Sequence, residues 1–179
     1  MGATRAAGTK QQVRARSRRV GLAFVAVAGT FWHFVYDLSG GSALVGLVAP
    51  VNESVWEHTK LVSVPLLAWT LWSTRHTGRA RSDGRSRAPV AVVTAALAGS
   101  AVIVVGFYAY VGVLGADQFV MDIALFLVAA WVAVWTFDLL MQVAPALPGS
   151  LGLLLVVGLL AALALLTVAP PDWPMFRAP

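Results

Sequence analysis

The sequence predicts an all-α fold, a polytopic transmembrane helical bundle of about five spans, from three observations. Hydrophobic residues make up 59% of the 179-residue chain and charged residues only 12%, well under the quarter usual for a soluble domain, so the apolar excess needs lipid as its solvent. Five apolar stretches follow one another at 20–38, 54–73, 89–114, 119–142 and 149–168; about 20 helical residues at 1.5 Å each cover a hydrocarbon core of roughly 30 Å. The basic residues are also grouped: six of the thirteen Lys and Arg precede Val20 and five lie between Arg75 and Arg87. Basic runs flanking apolar spans mark cytoplasmic segments.

These features bound the function. The length suits one domain. The net charge of +5 resolves into those two flanking runs, so the expected partner is the lipid bilayer and not nucleic acid. The chain has no cysteine, which removes disulfides, thiolate metal ligands and cysteine nucleophiles.

Residues 1–19, "MGATRAAGTKQQVRARSRR", show no apolar periodicity and read as a disordered, basic cytoplasmic tail preceding a single transmembrane domain at 20–179. The first span is 20–38. Ser17–Arg19 has the look of a twin-arginine leader and Ala26–Ala28 that of a signal-peptidase site, but the apolar run continues through "FWHFV", so an uncleaved span is expected. "SGGSALVGLVAPV", bounded by Gly40-Gly41 and Pro50, is too short to cross and reads as a re-entrant or interfacial segment. The second span starts near Asn52 to Ser54, and "RHTGRARSDGRSR" returns the chain to the cytoplasm.

In the third span Ala91, Ala95 and Gly99 recur every four residues, a stripe for close helix packing. The fourth follows at Phe119. The fifth, "LGLLLVVGLLAALALLTV", has Thr167 as its sole polar side chain and can face lipid. With the basic segments inside, the protein belongs in the cytoplasmic membrane, N-terminus cytoplasmic, with "PPDWPMFRAP" outside. Trp32, Trp56 and Trp173 would form the outer aromatic belt, and Trp72 and Trp135 the inner one.

Six of the eight carboxylates fall at the outer ends of spans: Asp37, Glu53, Glu57, Asp117, Asp122 and Asp172. Helix N-termini attract carboxylates, and "SVWE" at Ser54–Glu57 has capping-box spacing, so part of this cluster is explained by capping alone. Capping does not explain Asp37 at a helix C-terminus, Lys60 in a first turn, or His33 and Asp122 below the interface, where ionisable groups are costly and turn to the bundle interior. Helical spacing puts Glu53, Glu57 and Lys60 on one stripe, with His58 turned away, and His33 and Asp37 on another with Tyr36 beside them. If the stripes face each other they enclose a polar pocket near the outer face, which Asn52, Ser54 and Trp56 adjoin and which Asp117, Gln118 and Asp122 could extend.

Such a pocket suits three chemistries. Glu57, His58 and His33 could act as general acid and base on a lipid or isoprenoid-like small molecule. His33, Glu53, Glu57 and His58 could hold a divalent metal, although "EHTK" matches no defined metal motif. A transporter would need polar groups through the membrane depth, yet Asp138 lies roughly 24 Å from Asp122 by helix rise. The remaining reading is structural: an ion-paired lock between the first two helices.

"HFVYDLSG…VGLVAPVNESVWEHTKL" resembles the signature of a family of small, uncharacterised prokaryotic multi-pass membrane proteins. The resemblance rests on His33, Tyr36, Ser39 and Gly40, then Ala49, Val51 to Ser54, Trp56 to His58 and Lys60, and extends to Pro174–Phe176. It implies a membrane location and a shared site, and brings no activity with it.

Overall fold

The computed structural model describes the backbone of residues 2–77 and 85–178, with side chains from residue 11 to 76 and from 85 onward. Among the described residues the chain is all-α apart from one pair of two-residue strands. Helix α1 spans Gly2–Trp32 and α2 Val35–Leu38; α3 is Ala43–Gly46, α4 Val55–His58 and α5 Lys60–Thr77. Strand β1, Arg85–Ser86, leads into α6, Ala88–Leu114, and α7, Phe119–Val143; strand β2, Leu147–Pro148, precedes α8, Gly149–Val168, and a 3₁₀ turn at Pro174–Phe176.

Each terminus has a local cause. Phe34 donates to the Phe31 carbonyl, a tight turn that closes α1. Gly40 and Gly41 take φ of 72° and 74°, a left-handed pair that turns the chain between α2 and α3 and that other residues adopt only at a cost. Pro89 enters the first turn of α6, where its missing N–H is no loss. Gly115 ends that helix at φ 75°, its N–H capping the Val111 carbonyl. Pro145 and Pro170 follow the ends of α7 and α8.

The five long helices alternate in direction. Close approaches link Gly21 to Trp69 and Gly29 to Leu61 between α1 and α5, and Gly99 to Ala129 and Gly106 to Leu125 between α6 and α7. In both pairs residue numbers rise on one helix as they fall on the other. The expected stripe of Ala91, Ala95 and Gly99 is buried; Gly99 lies against Ala129 and Ala133 of α7, which are also fully buried. Small residues let these backbones approach and maximise van der Waals contact, the main source of association where lipid removes the hydrophobic drive. Pro65 cannot bond the Leu61 carbonyl, and Gly29 comes so near that carbonyl that a Cβ there would stand 2.5 Å from it.

Helices α6, α7 and α8 are long and apolar enough to cross a membrane. The segments expected as the first two spans are built differently. Residues 20–38 are divided between the end of α1, the His33–Phe34 turn and α2, and α1 itself starts at Gly2, taking in the basic residues expected as a tail. Residues 54–73 are divided at Thr59 between α4 and α5, and α5 carries Lys60, Pro65 and Arg75. Charge and breaks, not a lack of helix, separate these two from the other three. The basic return loop falls partly outside the described residues, at 78–84.

The alternation gives the bundle two chemically distinct ends. One gathers Arg14, Arg18, Arg85 and Arg87 around Asp138, Gln142 and Ala146, and β1 pairs antiparallel with β2 there. The other gathers His33, Glu53, Glu57, His58, Lys60 and Thr167.

Candidate functional site

The stretch Asn52–Lys60 makes two separate constellations. Ser54 is extended, φ −69° and ψ 152°, and its hydroxyl accepts from the Glu57 N–H at 3.3 Å, so it is the N-cap of α4. This is half of the expected capping box. The Glu57 carboxylate does not return to Ser54; Asn52 Oδ1 accepts from the Ser54 N–H instead, at 2.9 Å. Because the helix starts at Val55, Glu53 lies outside it and is not on a helical stripe with Glu57 and Lys60. The expected three-residue stripe is therefore two groups.

The first group is buried. Glu57 retains 2% and Lys60 0% of their side-chain exposure, and Lys60 Nζ lies 2.7 Å from Glu57 Oε2. Lys60 also donates to the carbonyls of Gly46 at 2.9 Å and Ala49 at 3.1 Å. An ammonium has three N–H donors, so all are used. Glu57 Oε2 accepts from the Val51 N–H at 3.0 Å and Oε1 from the Thr167 hydroxyl at 2.8 Å. Both members of the pair are fully hydrogen-bonded, the condition under which a buried ion pair offsets its desolvation. The group ties three pieces of chain together: the Gly46–Val51 return segment, the α4–α5 junction and the far end of α8.

The second group faces outward. Glu53 Oε2 lies 3.5 Å from His33 Nε2 and 3.5 Å from His58 Nε2, with the histidines about one third exposed and Glu53 62% exposed. The two imidazole centroids are 5.5 Å apart at 71°, and the three ligand atoms all lie within 4.8 Å of one another. His58 Nδ1 lies 2.9 Å from the Ser54 carbonyl. A carbonyl only accepts, so Nδ1 carries the proton and Nε2 presents its lone pair or a second proton to Glu53. Metal-binding histidines are oriented in this way, by donating the other ring N–H to a backbone carbonyl.

The remaining expected pocket residues are dispersed. Asp37, on α2, is exposed and makes no side-chain hydrogen bond or ion pair among the described residues, because the turn at His33–Phe34 breaks the stripe it would share with His33. Tyr36 packs its ring over Gly46, where a Cβ would lie 3.2 Å from the ring and 2.7 Å from Val51. The Trp56 and Phe176 rings meet in a tilted contact, 5.3 Å between centroids, joining the 3₁₀ turn to α4. Asp122 accepts from the Tyr110 hydroxyl, to which Gln118 N–H also donates at 3.5 Å. With the exposed Asp117, these residues stand at the α6–α7 turn and do not join either group.

Sequence reasoning missed three participants. The Gly46 and Ala49 carbonyls carry no side-chain signal. Thr167 did carry one, as the single polar side chain in an otherwise apolar span, and its hydroxyl is directed at a carboxylate 110 residues away in the chain.

A family model described as a family of unknown function, DUF6512, matches residues 9–179, and the chain belongs to that family. No curated protein and no solved structure matches it.

Proposed function

We propose that this DUF6512 member is a five-span protein of the cytoplasmic membrane, N-terminus inside, whose outer-face group of His33, Glu53 and His58 binds a divalent transition-metal ion. The observation that carries the proposal is the shared oxygen: two imidazole Nε2 atoms, each 3.5 Å from Glu53 Oε2. Around a tetrahedral ion with bonds of about 2.05 Å, neighbouring ligand atoms stand about 3.4 Å apart. Two nitrogens and one carboxylate oxygen suit a borderline ion such as zinc or iron(II) better than calcium or magnesium. Three protein ligands leave a coordination position for water or a substrate oxygen.

The surroundings favour a lipid-like substrate. Phe34 packs against His33 with ring centroids 5.3 Å apart, and Phe31, Leu38 and Leu44 of the flanking segments are exposed, which supplies apolar surface at the expected depth of headgroups. The metal-ligand role of Glu57 and the catalytic role first considered for it pass to Glu53, since both Glu57 oxygens are engaged inside. Glu57 and Lys60 pair within the α4–α5 segment and bond the return segment and α8, so they are a structural pair but not the expected lock between the first two helices, and the two histidines need another reading.

Elemental analysis of detergent-purified protein tests the proposal. One transition-metal ion per chain is expected, lost in the His33→Ala and His58→Ala variants and retained in Asp37→Asn. Absence of metal after incubation with zinc or iron(II) would sink it. A reporter fused at Pro179 tests the topology, because a cytoplasmic signal there contradicts five spans with the N-terminus inside.

A further inference from the structure

At the arginine end, α1 and α7 run antiparallel and are joined twice, by Arg14 Nη1 donating to Gln142 Oε1 at 2.5 Å and by Arg18 Nε lying 3.7 Å from Asp138 Oδ2. The Arg18 guanidinium also sits 5.0 Å from the centre of the Trp135 ring. Beside these contacts an open crevice of about 200 Å³ is lined by Arg18, Arg19, Leu22, Trp131, Val134 and Trp135. Of Arg14, Arg18 and Arg19, only Arg18 is paired with a carboxylate among the described residues, that of Asp138, which leaves two of the three positive charges unneutralised there. Arg19 is exposed and has no ion pair among the described residues.

The crevice is polarised along the helix axis. Its guanidinium groups stand at the end of the bundle, while Leu22 on α1 and Trp131 on α7 each lie one turn deeper, about 6 Å by helix rise. Trp131 and Trp135 are about half exposed, with Leu127 exposed a further turn in. Guanidinium matches phosphate oxygens in geometry and charge, indole is suited to the headgroup boundary, and the deeper walls are apolar. Basic pockets between helices on the cytoplasmic side suit anionic headgroups.

We infer that this crevice binds an anionic phospholipid of the inner leaflet, its phosphate held by Arg18 and Arg19 and an acyl chain laid along Leu22 and Trp131. The inference rests on the membrane-embedded reading above and is independent of the metal site.

Native mass spectrometry of the detergent-purified chain, offered phosphatidylglycerol or phosphatidylcholine of matched chains, tests it. The protein should retain phosphatidylglycerol preferentially, and Arg19→Gln should weaken that retention by about fivefold, the effect of one basic residue near an anionic surface. Arg16→Gln removes the same charge from the same end but outside the crevice, and should change retention by less than about twofold. Equal retention of the two lipids overturns the inference. So does an equal loss in both variants, which would mean diffuse attraction, or displacement of the lipid by inorganic phosphate, which would mean a soluble-anion site. Carbonate extraction of native membranes separates the two readings: release of the protein removes the bilayer premise, whereas a retained protein without lipid preference removes only the crevice.

Discussion

Lys60 and Glu57 form a buried ion pair, 2.7 Å from Nζ to Oε2, where the return segment, α4, α5 and α8 converge. Among the described residues each charge is the other's only ionic partner. Removing one partner of such a pair leaves an uncompensated buried charge and costs about 3 to 5 kcal/mol. Lys60→Met should therefore lower the melting temperature in detergent steeply, and the double variant Glu57→Gln/Lys60→Met should recover part of the loss. A single variant that melts with the wild type would show that the pair contributes nothing to the fold.

Thr167 offers a more delicate test of the same node. Its hydroxyl donates to Glu57 Oε1 at 2.8 Å and also approaches its own Leu163 carbonyl at 2.9 Å. Thr167→Val keeps the shape and deletes a hydrogen bond to a charged acceptor, a loss of about 1.5 to 3 kcal/mol. Thr167→Ser should stay close to wild type. Equal melting of the Val and Ser variants would mean that the hydroxyl is not what joins α8 to α4.

Metal removal should register as a change in stability. An ion bound only by the folded state at a hundred times its dissociation constant adds about 2.7 kcal/mol. A chelator should accordingly lower the melting temperature of the wild type and leave His58→Ala unmoved. If both fall equally, the chelator acts elsewhere.

Gly29 separates close packing from lipid exposure. A Cβ there would stand 2.5 Å from the Leu61 carbonyl and 2.6 Å from Phe126, whereas one at Gly158 would meet nothing within 4 Å. Overpacking costs about 1 to 3 kcal/mol, so Gly29→Ala should destabilise the bundle and Gly158→Ala should not. Equal melting points would contradict the α1–α5–α7 approach described above.

Much of the fold was legible from apolar length. Helices α6, α7 and α8 begin and end within a residue of the segments expected at 89–114, 119–142 and 149–168. The segments at 20–38 and 54–73 look continuous in sequence because hydropathy does not register a two-residue turn such as His33–Phe34 or the break at Thr59. That error of phase had a chemical consequence. Spacing arguments require an unbroken helix, and once α4 starts at Val55 and α1 stops at Trp32, Glu53 and Asp37 leave their assigned stripes. The right residue types were identified, but their division into a buried group and an exposed one depends on backbone carbonyls at Gly46, Ala49 and Ser54, which no side-chain pattern encodes.

Gly46 to Val51 has the Gly46 and Ala49 carbonyls held by Lys60 and its last amide held by Glu57, and Asn52 closes onto Ser54 immediately afterwards. Glu53 is therefore mounted on a segment that is already ordered before any ligand arrives. The conformational entropy of ordering the backbone that carries it is lost during folding and would not weaken binding of the proposed ion. Affinity at the proposed metal site would then depend on a lysine that is sealed inside the protein and never touches the ion.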